Sequence, residues 1–277
     1  MPPDRQTALA TIRGLFTEFL SMPNDSTAKI VSVAVALCLV CALIVSTVAV
    51  VLKPQQILNK AMERKRNILA VAGISDPDKG VDELFGQIQA KVVDIKTGEY
   101  VETIDVDSYD QRRAARDPAR SIKIPAEQDI ARVRAQAKYA TLYLVRDGDE
   151  IKKIILPVRG YGLWSTLYGF IALEDDANTI SALSFYEHFE TPGLGGEVDN
   201  PRWKALWRGK QVFDDTGNVR IEVAKGLVDK ARPEAIYQVD GLAGATLTAR
   251  GVTNLLRFWL GQNGFGPYLE KMKSERG

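Results

Sequence analysis

Cysteine and histidine are nearly absent from this sequence. Its 277 residues include two cysteines, Cys38 and Cys41, and one histidine, His188. Both cysteines lie inside one apolar run, so no disulfide framework and no cysteine-based metal site can form elsewhere in the chain. A single histidine excludes a His-cluster metal centre and a two-His catalytic arrangement. The reading therefore names no catalytic residue and no metal site. An excess of one charge is lacking too, with 36 Lys+Arg against 35 Asp+Glu. No basic surplus points to nucleic acid, and no long acidic run to a disordered tail. With 45% apolar and 26% charged residues, the composition is that of a folded protein. Chemistry in such a chain falls to a bound cofactor.

The most prominent feature present is a long apolar run. Ile30 to Leu52 reads IVSVAVALCLVCALIVSTVAVVL, 23 residues without a charge. As a helix it would be about 34 Å long, enough to cross a hydrocarbon core with some tilt. It is too long and begins too far in for a signal-peptide core, and its end offers only a weak small-residue cleavage pattern at Thr47 and Ala49. The reading is a single uncleaved anchor in contact with membrane lipid. Cys38 and Cys41 are three apart and share a helix face. They can meet a partner helix or a metal cluster, but packing of small residues in a membrane helix is the favoured reading. Arg5, Arg13 and Lys29 precede the span, and Lys53, Lys60, Arg64, Lys65 and Arg66 follow it. Taken literally, that bias would hold the following domain in the cytoplasm, but large domains cross regardless of such charges, so the side stays open. Ile12, Leu15, Phe16, Phe19 and Leu20 fall at helical spacing, as a short interfacial helix or a frayed extension. The expected division is an extension over 1–29, a span over 30–52 and a soluble domain over 53–277.

Within the soluble part, Gln55 to Val71 has helix-forming composition and ends near Gly73. Val92–Ile95 and Tyr100–Ile104 suggest a hairpin around Thr97-Gly98. Residues 106–137 are highly charged, with Arg112, Arg113, Arg116 and Arg120 among acids, and read as a solvated loop or helix. Tyr143–Val145 and Ile151–Val158 flank the turn dipeptide Asp147-Gly148. Strands follow at Gly162–Leu173, Ile180–Tyr186 and Arg220–Ala224, then an amphipathic helix from about Thr248 to Leu260. Strands outnumber helices and hairpins recur. The expected class is α+β, with a mostly antiparallel sheet.

The segment Asp240 to Thr248 (DGLAGATLT) is rich in small and hydroxyl residues just before a helix. That combination lets the backbone approach a bulky anion, with helix N-terminal amides to stabilise a phosphate. Thr248 as a plain helix N-cap explains the pattern nearly as well. Two further blocks, Gly160-Tyr-Gly-Leu-Trp-Ser165 and His188-Phe-Glu-Thr-Pro-Gly-Leu-Gly195, contain clustered glycines and aromatics. Gly193, Gly195 and Gly196 suggest a dinucleotide fingerprint, but the spacing is wrong and no βαβ unit surrounds them.

Gly244-Ala245-Thr246-Leu247-Thr248 resembles the S/T-G-A-T-x-T flavinylation signature, in which the last threonine is esterified to the phosphate of FMN. Ala243 stands where that signature has Ser or Thr. The other two blocks, in this order and spacing, resemble the rest of the same FMN-binding domain. Together with the anchor, the resemblance spans almost the whole chain. It is to the NqrC subunits of sodium-translocating NADH:quinone oxidoreductases and their relatives, the RnfG subunits of Rnf complexes. The charged insertion and the length favour the former.

The resemblance implies FMN held by a phosphoester to Thr248, attached by a separate magnesium-dependent flavin transferase that uses FAD. It implies an electron carrier that works only as one part of a membrane oxidoreductase, alongside other subunits and without a complete active site of its own. It also implies a bacterial inner-membrane location with the soluble domain on the periplasmic side. Beside Thr248, the expected cofactor contacts are Gly244, Ala245, Thr246, Leu247, Leu163, Trp164, Ser165, Glu190, Thr191, Gly193 and Leu194. Trp164 can pack on the isoalloxazine, the alternative being a core Trp in a strand. Thr191 can hydrogen-bond the flavin edge, and Leu194 can pack on its ring. His188 reads as a satisfied structural histidine and the Trp203–Trp207 pair as a helix packing face. The rival reading is an anchored binding or sensor module that holds FMN non-covalently or not at all.

Overall fold

The computed structural model describes residues 21–274 together with Thr17 and Phe19. Apart from Phe19, the interfacial helix expected around Ile12–Leu20 lies outside the described residues. Contacts divide the chain between Lys60 and Ala61.

Helix α1 (Thr27–Ala72) is 46 residues long, roughly 69 Å at 1.5 Å per residue. It is long and apolar enough to cross a membrane. The helix expected over Gln55–Val71 forms as the continuation of the apolar run, uninterrupted at Pro54. Side chains of the run are exposed along the helix, Leu43 at 68% and Val50 at 71%. The end of α1 has a local cause. Gly73 takes a left-handed φ of +73°, its N–H donates to the Ala70 carbonyl at 3.2 Å, and the N–H of Ile74 donates to Leu69 at 3.0 Å. This paired closure satisfies two of the last carbonyls of the helix.

The unit from Ala61 onward is built on a five-stranded antiparallel sheet. Its strands are β1 (Ile88–Asp94), β4 (Tyr139–Asp147), β5 (Glu150–Tyr161), β6 (Thr166–Glu174) and β7 (Ile180–Glu187), in spatial order β1-β4-β5-β6-β7. Short α2 (Val81–Phe85) precedes β1, and α3 (Gln111–Ala114), β2 (Ser121–Lys123) and β3 (Ala135–Ala137) fill the stretch before β4. After β7 come a 3-10 turn (Gly195–Asp199), α4 (Pro201–Ala205), β8 (Glu222–Val223), a second 3-10 turn (Pro233–Tyr237) and β9 (Gln238–Val239). Helices α5 (Thr246–Leu260) and α6 (Gly266–Ser274) close the chain. The class is α+β with a mostly antiparallel sheet, as expected.

Both faces of the sheet are covered, which explains why its strands read as continuous apolar runs. Ile154, Leu156, Val158, Leu167, Ile171 and Leu173 share one core with Val252, Leu255, Leu256 and Trp259 of α5. The intervening Ile155, Phe170 and Ala172 pack on Ile68, Leu69, Val71 and Ala72 at the end of α1. The alternation along β5 and β6 sorts residues between these two layers.

Several expected elements are corrected. The hairpin of Val92–Ile95 with Tyr100–Ile104 shortens to the bridge Val93↔Tyr100, flanked by the N–H groups of Asp94 and Val101 donating to Glu99 and Val92 at 2.9 and 2.8 Å, on the edge of β1 away from β4. Residues 106–137 are not merely a solvated loop or helix. They include α3, β2 and β3, and they bury Ala114, Ile124, Ala131, Val133 and Ala137. The strand expected from Gly162 begins at Thr166, since 162–165 form the turn after β5. Arg220–Ala224 contracts to β8, which pairs in parallel with β9. Trp203 and Trp207 do pack edge to face, with centroids 5.3 Å apart, but only Trp203 lies in a helix.

Candidate functional site

Three separate stretches meet at the buried carboxylate of Glu190. The first is the turn between β5 and β6, closed by the Gly162 N–H donating to the Ser165 carbonyl at 2.8 Å. The N–H groups of Leu163, Trp164 and Ser165 all donate to Glu190 Oε1, at 3.1, 3.0 and 3.2 Å. Consecutive amides aimed at one anion form a fixed concavity of partial positive charge. Gly162 is required there, because a Cβ would sit 2.6 Å from the same oxygen.

The second stretch follows β7. The Ser165 Oγ accepts from the Phe189 N–H at 2.8 Å, and His188 Nδ1 accepts from the Glu190 N–H at 3.2 Å. His188 Nε2 lies 2.7 Å from Asp199 Oδ2, so both ring nitrogens have hydrogen-bond partners. The loop then folds back, with the Thr191 carbonyl accepting from the N–H groups of Leu194 and Gly196 at 3.1 and 2.9 Å. Gly193 has φ +75°.

The third stretch is the start of α5. Thr248 is wholly buried, and its hydroxyl donates to Glu190 Oε2 at 2.7 Å. It is not the N-cap, as the plain structural alternative required; Ala245 holds that place, without a side-chain cap. The first N–H groups of α5, which have no intrahelical acceptors, therefore have no side-chain cap either and form the positive end of the helix. Gly195 lies against Thr248, since a Cβ on it would fall 2.5 Å from the Thr248 hydroxyl. Gly244, at φ +70°, brings the 240–248 segment against Leu194.

Around this buried polar knot the apolar side chains face outward. Trp164 is 66% exposed, Phe189 81%, Leu247 53% and Leu194 44%, with Leu163 also at the surface. Trp164 is thus not a core residue. Thr191, Gly193, Gly244 and Thr246 are exposed beside them, while Ala245 is buried. The structure brings all the expected cofactor contacts to one place. Sequence reasoning missed Phe189, whose only signal was its position inside the second block. It also missed Trp203, whose Nε1–H donates to the Asp240 carbonyl at 2.8 Å and anchors the start of the third stretch.

A turn, a loop and a helix N-terminus thus converge on one buried carboxylate beside exposed apolar side chains. A family model for the FMN-binding domain matches residues 162–261, which contain all three stretches. The chain is 49% identical over 254 residues to the NqrC-type subunit of the Na(+)-translocating NADH-quinone reductase of Pseudomonas aeruginosa, covering 90% of this chain and 97% of that one. It is 50% identical over 251 residues to the corresponding Vibrio vulnificus protein, with the same two coverages. The crystal structure of Shewanella oneidensis NqrC superposes with a TM-score of 0.70 at 35% identity, covering 76% of this chain and 97% of that one. The chain belongs to the NqrC family of Na(+)-translocating NADH-quinone reductase subunits.

Proposed function

We propose that this chain is the anchored flavoprotein subunit of such a reductase, carrying FMN as a phosphoester on Thr248. The observation that carries the reading is the placement of the Thr248 hydroxyl. It lies in the uncapped first turn of α5, fixed by Glu190 at 2.7 Å, beneath a rim of exposed apolar side chains. The residues fit the group. The free N–H groups of α5 suit a phosphate, Gly244 and Gly195 allow close approach, and Trp164, Leu163, Phe189, Leu194 and Leu247 offer apolar surface to a flat ring system. Thr191 stands exposed for a polar contact at the flavin edge. When bound, the flavin supplies the one- and two-electron chemistry, and the protein supplies position and a controlled surrounding.

Esterification has a structural cost. Thr248 loses the proton that it donates to Glu190, and the loop at Gly195 must yield to admit a phosphoryl group. The reading therefore includes maturation by a flavin transferase that opens this loop. It also includes electron exchange with other subunits, coupling to Na+ transport, anchorage of the chain in the inner membrane by α1, and a periplasmic soluble domain. In-gel flavin fluorescence of the denatured protein tests the attachment, wild type beside Thr248→Ala, from cells that contain the transferase. A fluorescent wild-type band that vanishes in the variant is expected. A dark wild-type band, or an unchanged variant, overturns the covalent assignment in favour of a non-covalent module.

A further inference from the structure

Away from the Glu190 knot, β5 leaves a gap in the sheet. Its pairing with β4 runs only from Asp147↔Glu150 to Tyr143↔Ile155, whereas its pairing with β6 continues to Tyr161↔Thr166. The outer half of β5 therefore has one edge without a sheet partner. The charged insertion fills that edge: Tyr161 N–H donates to the Ala131 carbonyl at 2.9 Å, and Arg159 Nη2 donates to the Ala135 carbonyl at 2.6 Å. Between this insertion, α3 and the sheet lies a cleft of about 340 Å³, within the size range of small-ligand sites.

The cleft is lined by Arg112, Arg116, Arg134, Arg159 and Tyr168, and by no carboxylate. Arg112 is held firmly: its guanidinium lies 3.6 Å over the Tyr168 ring and bonds Glu187 at 2.8 Å and the Tyr186 hydroxyl at 3.0 Å. Among the described residues no carboxylate pairs with Arg116, Arg134 or Arg159. Arg134 sits in left-handed backbone at φ +64°, fixed by Asp129, whose carboxylate accepts the N–H groups of Val133 and Arg134, each at 2.7 Å. Withdrawal from water, with Arg112 and Arg116 nearby, pulls the Arg159 pKa below its ordinary value. An adjoining hollow shares Arg112, Arg159 and Tyr168 and adds Arg64, whose Nε is buried without a partner.

Arg112 and Arg159 are half-buried, Arg116 and Arg134 exposed. Guanidiniums gathered with so little opposing charge repel one another, and partial withdrawal of Arg159 from water without a carboxylate adds to the cost. An anion with several oxygens would reverse both terms, since the planar forks of arginine match phosphate oxygens. We propose that this cleft is a second ligand site, for a small phosphate-class anion supplied either free in solution or as a lipid headgroup. It is separate from the flavin site. None of its lining residues belongs to the three stretches that meet at Glu190, and a Cβ on Gly160 would point at Leu255 of α5, so Arg159 turns to the opposite face.

The test uses the full chain in detergent micelles, with thermal unfolding followed during titration by sodium pyrophosphate and, separately, by sodium chloride at matched ionic strength. A saturable rise in melting temperature with pyrophosphate alone is expected. Affinity should fall about tenfold or more in Arg116→Gln/Arg134→Gln, whose side chains are not part of the core and whose unliganded melting temperature should not fall. The same pair of proteins in phosphatidylcholine nanodiscs, with and without phosphatidylglycerol, identifies the source. Stabilisation by the anionic lipid that disappears in the double variant assigns a headgroup. Equal shifts from chloride, full response in the double variant, or response only to an acidic peptide would each overturn the proposal.

Discussion

The core under α5 and the surface around Glu190 obey opposite rules. Under α5, Leu156, Leu167, Leu255 and Leu256 are wholly buried, and their burial is what holds the sheet to the helix. Around Glu190 a carboxylate and a threonine hydroxyl are buried, whereas Trp164, Phe189 and Leu247 stand in solvent. The first arrangement maximises stability. The second gives up some of it, leaving large apolar groups exposed around fixed polar atoms, as binding surfaces do.

The comparison can be broken by mutation. Leu256→Ala should cost about 2–5 kcal/mol, as for other wholly buried leucines, measured by urea unfolding, with flavin linkage intact in whatever folds. Glu190→Ala comes next. It orphans three amides and the Thr248 hydroxyl, a loss of about 2–4 kcal/mol, and Glu190→Gln should recover part of it in the same measurement because one acceptor oxygen remains. Thr248→Ala, compared with wild type before flavin attachment, removes a single buried hydrogen bond, about 1 kcal/mol, yet should abolish in-gel flavin fluorescence in cells that contain the transferase. Trp164→Ala is the smallest in stability, within about 0.5 kcal/mol, but should change the emission of bound flavin. If Trp164→Ala destabilised the domain as much as Leu256→Ala, the contrast between the two regions would collapse.

Much of this contrast is legible in the sequence, for particular reasons. The span from Ile30 announces itself through uninterrupted apolarity, and the end of α1 through Gly73. The hairpin at Gly148 follows from its turn dipeptide, the β4–β5 strands from their apolar runs. The hairpin expected at Tyr100–Ile104 survives only as the bridge Val93↔Tyr100, and local turn signals carry no information about the distant partner β4 that pairs with the whole of β1. The insertion at 106–137 misleads because its charge masks the few residues that it buries, among them Ala131 and Val133. At the site, the resemblance of three short blocks to an FMN-binding domain points to Thr248, Glu190 and Trp164, whereas residue types alone leave Thr248 readable as a plain N-cap. Nothing in their spacing says that Glu190 takes the amides of the 163–165 turn and the Thr248 hydroxyl at once.

The sequence by itself determined the long apolar helix, the α+β class and the stretches that form the site, because each depends on local periodicity, turn chemistry or a contiguous motif. Only the tertiary structure decided that these stretches converge on one buried carboxylate, that the apolar rim faces outward, and that several arginines collect where β4 parts from β5. Those features depend on contacts between residues far apart in the chain, and such contacts are set by strand register and packing rather than by any local pattern.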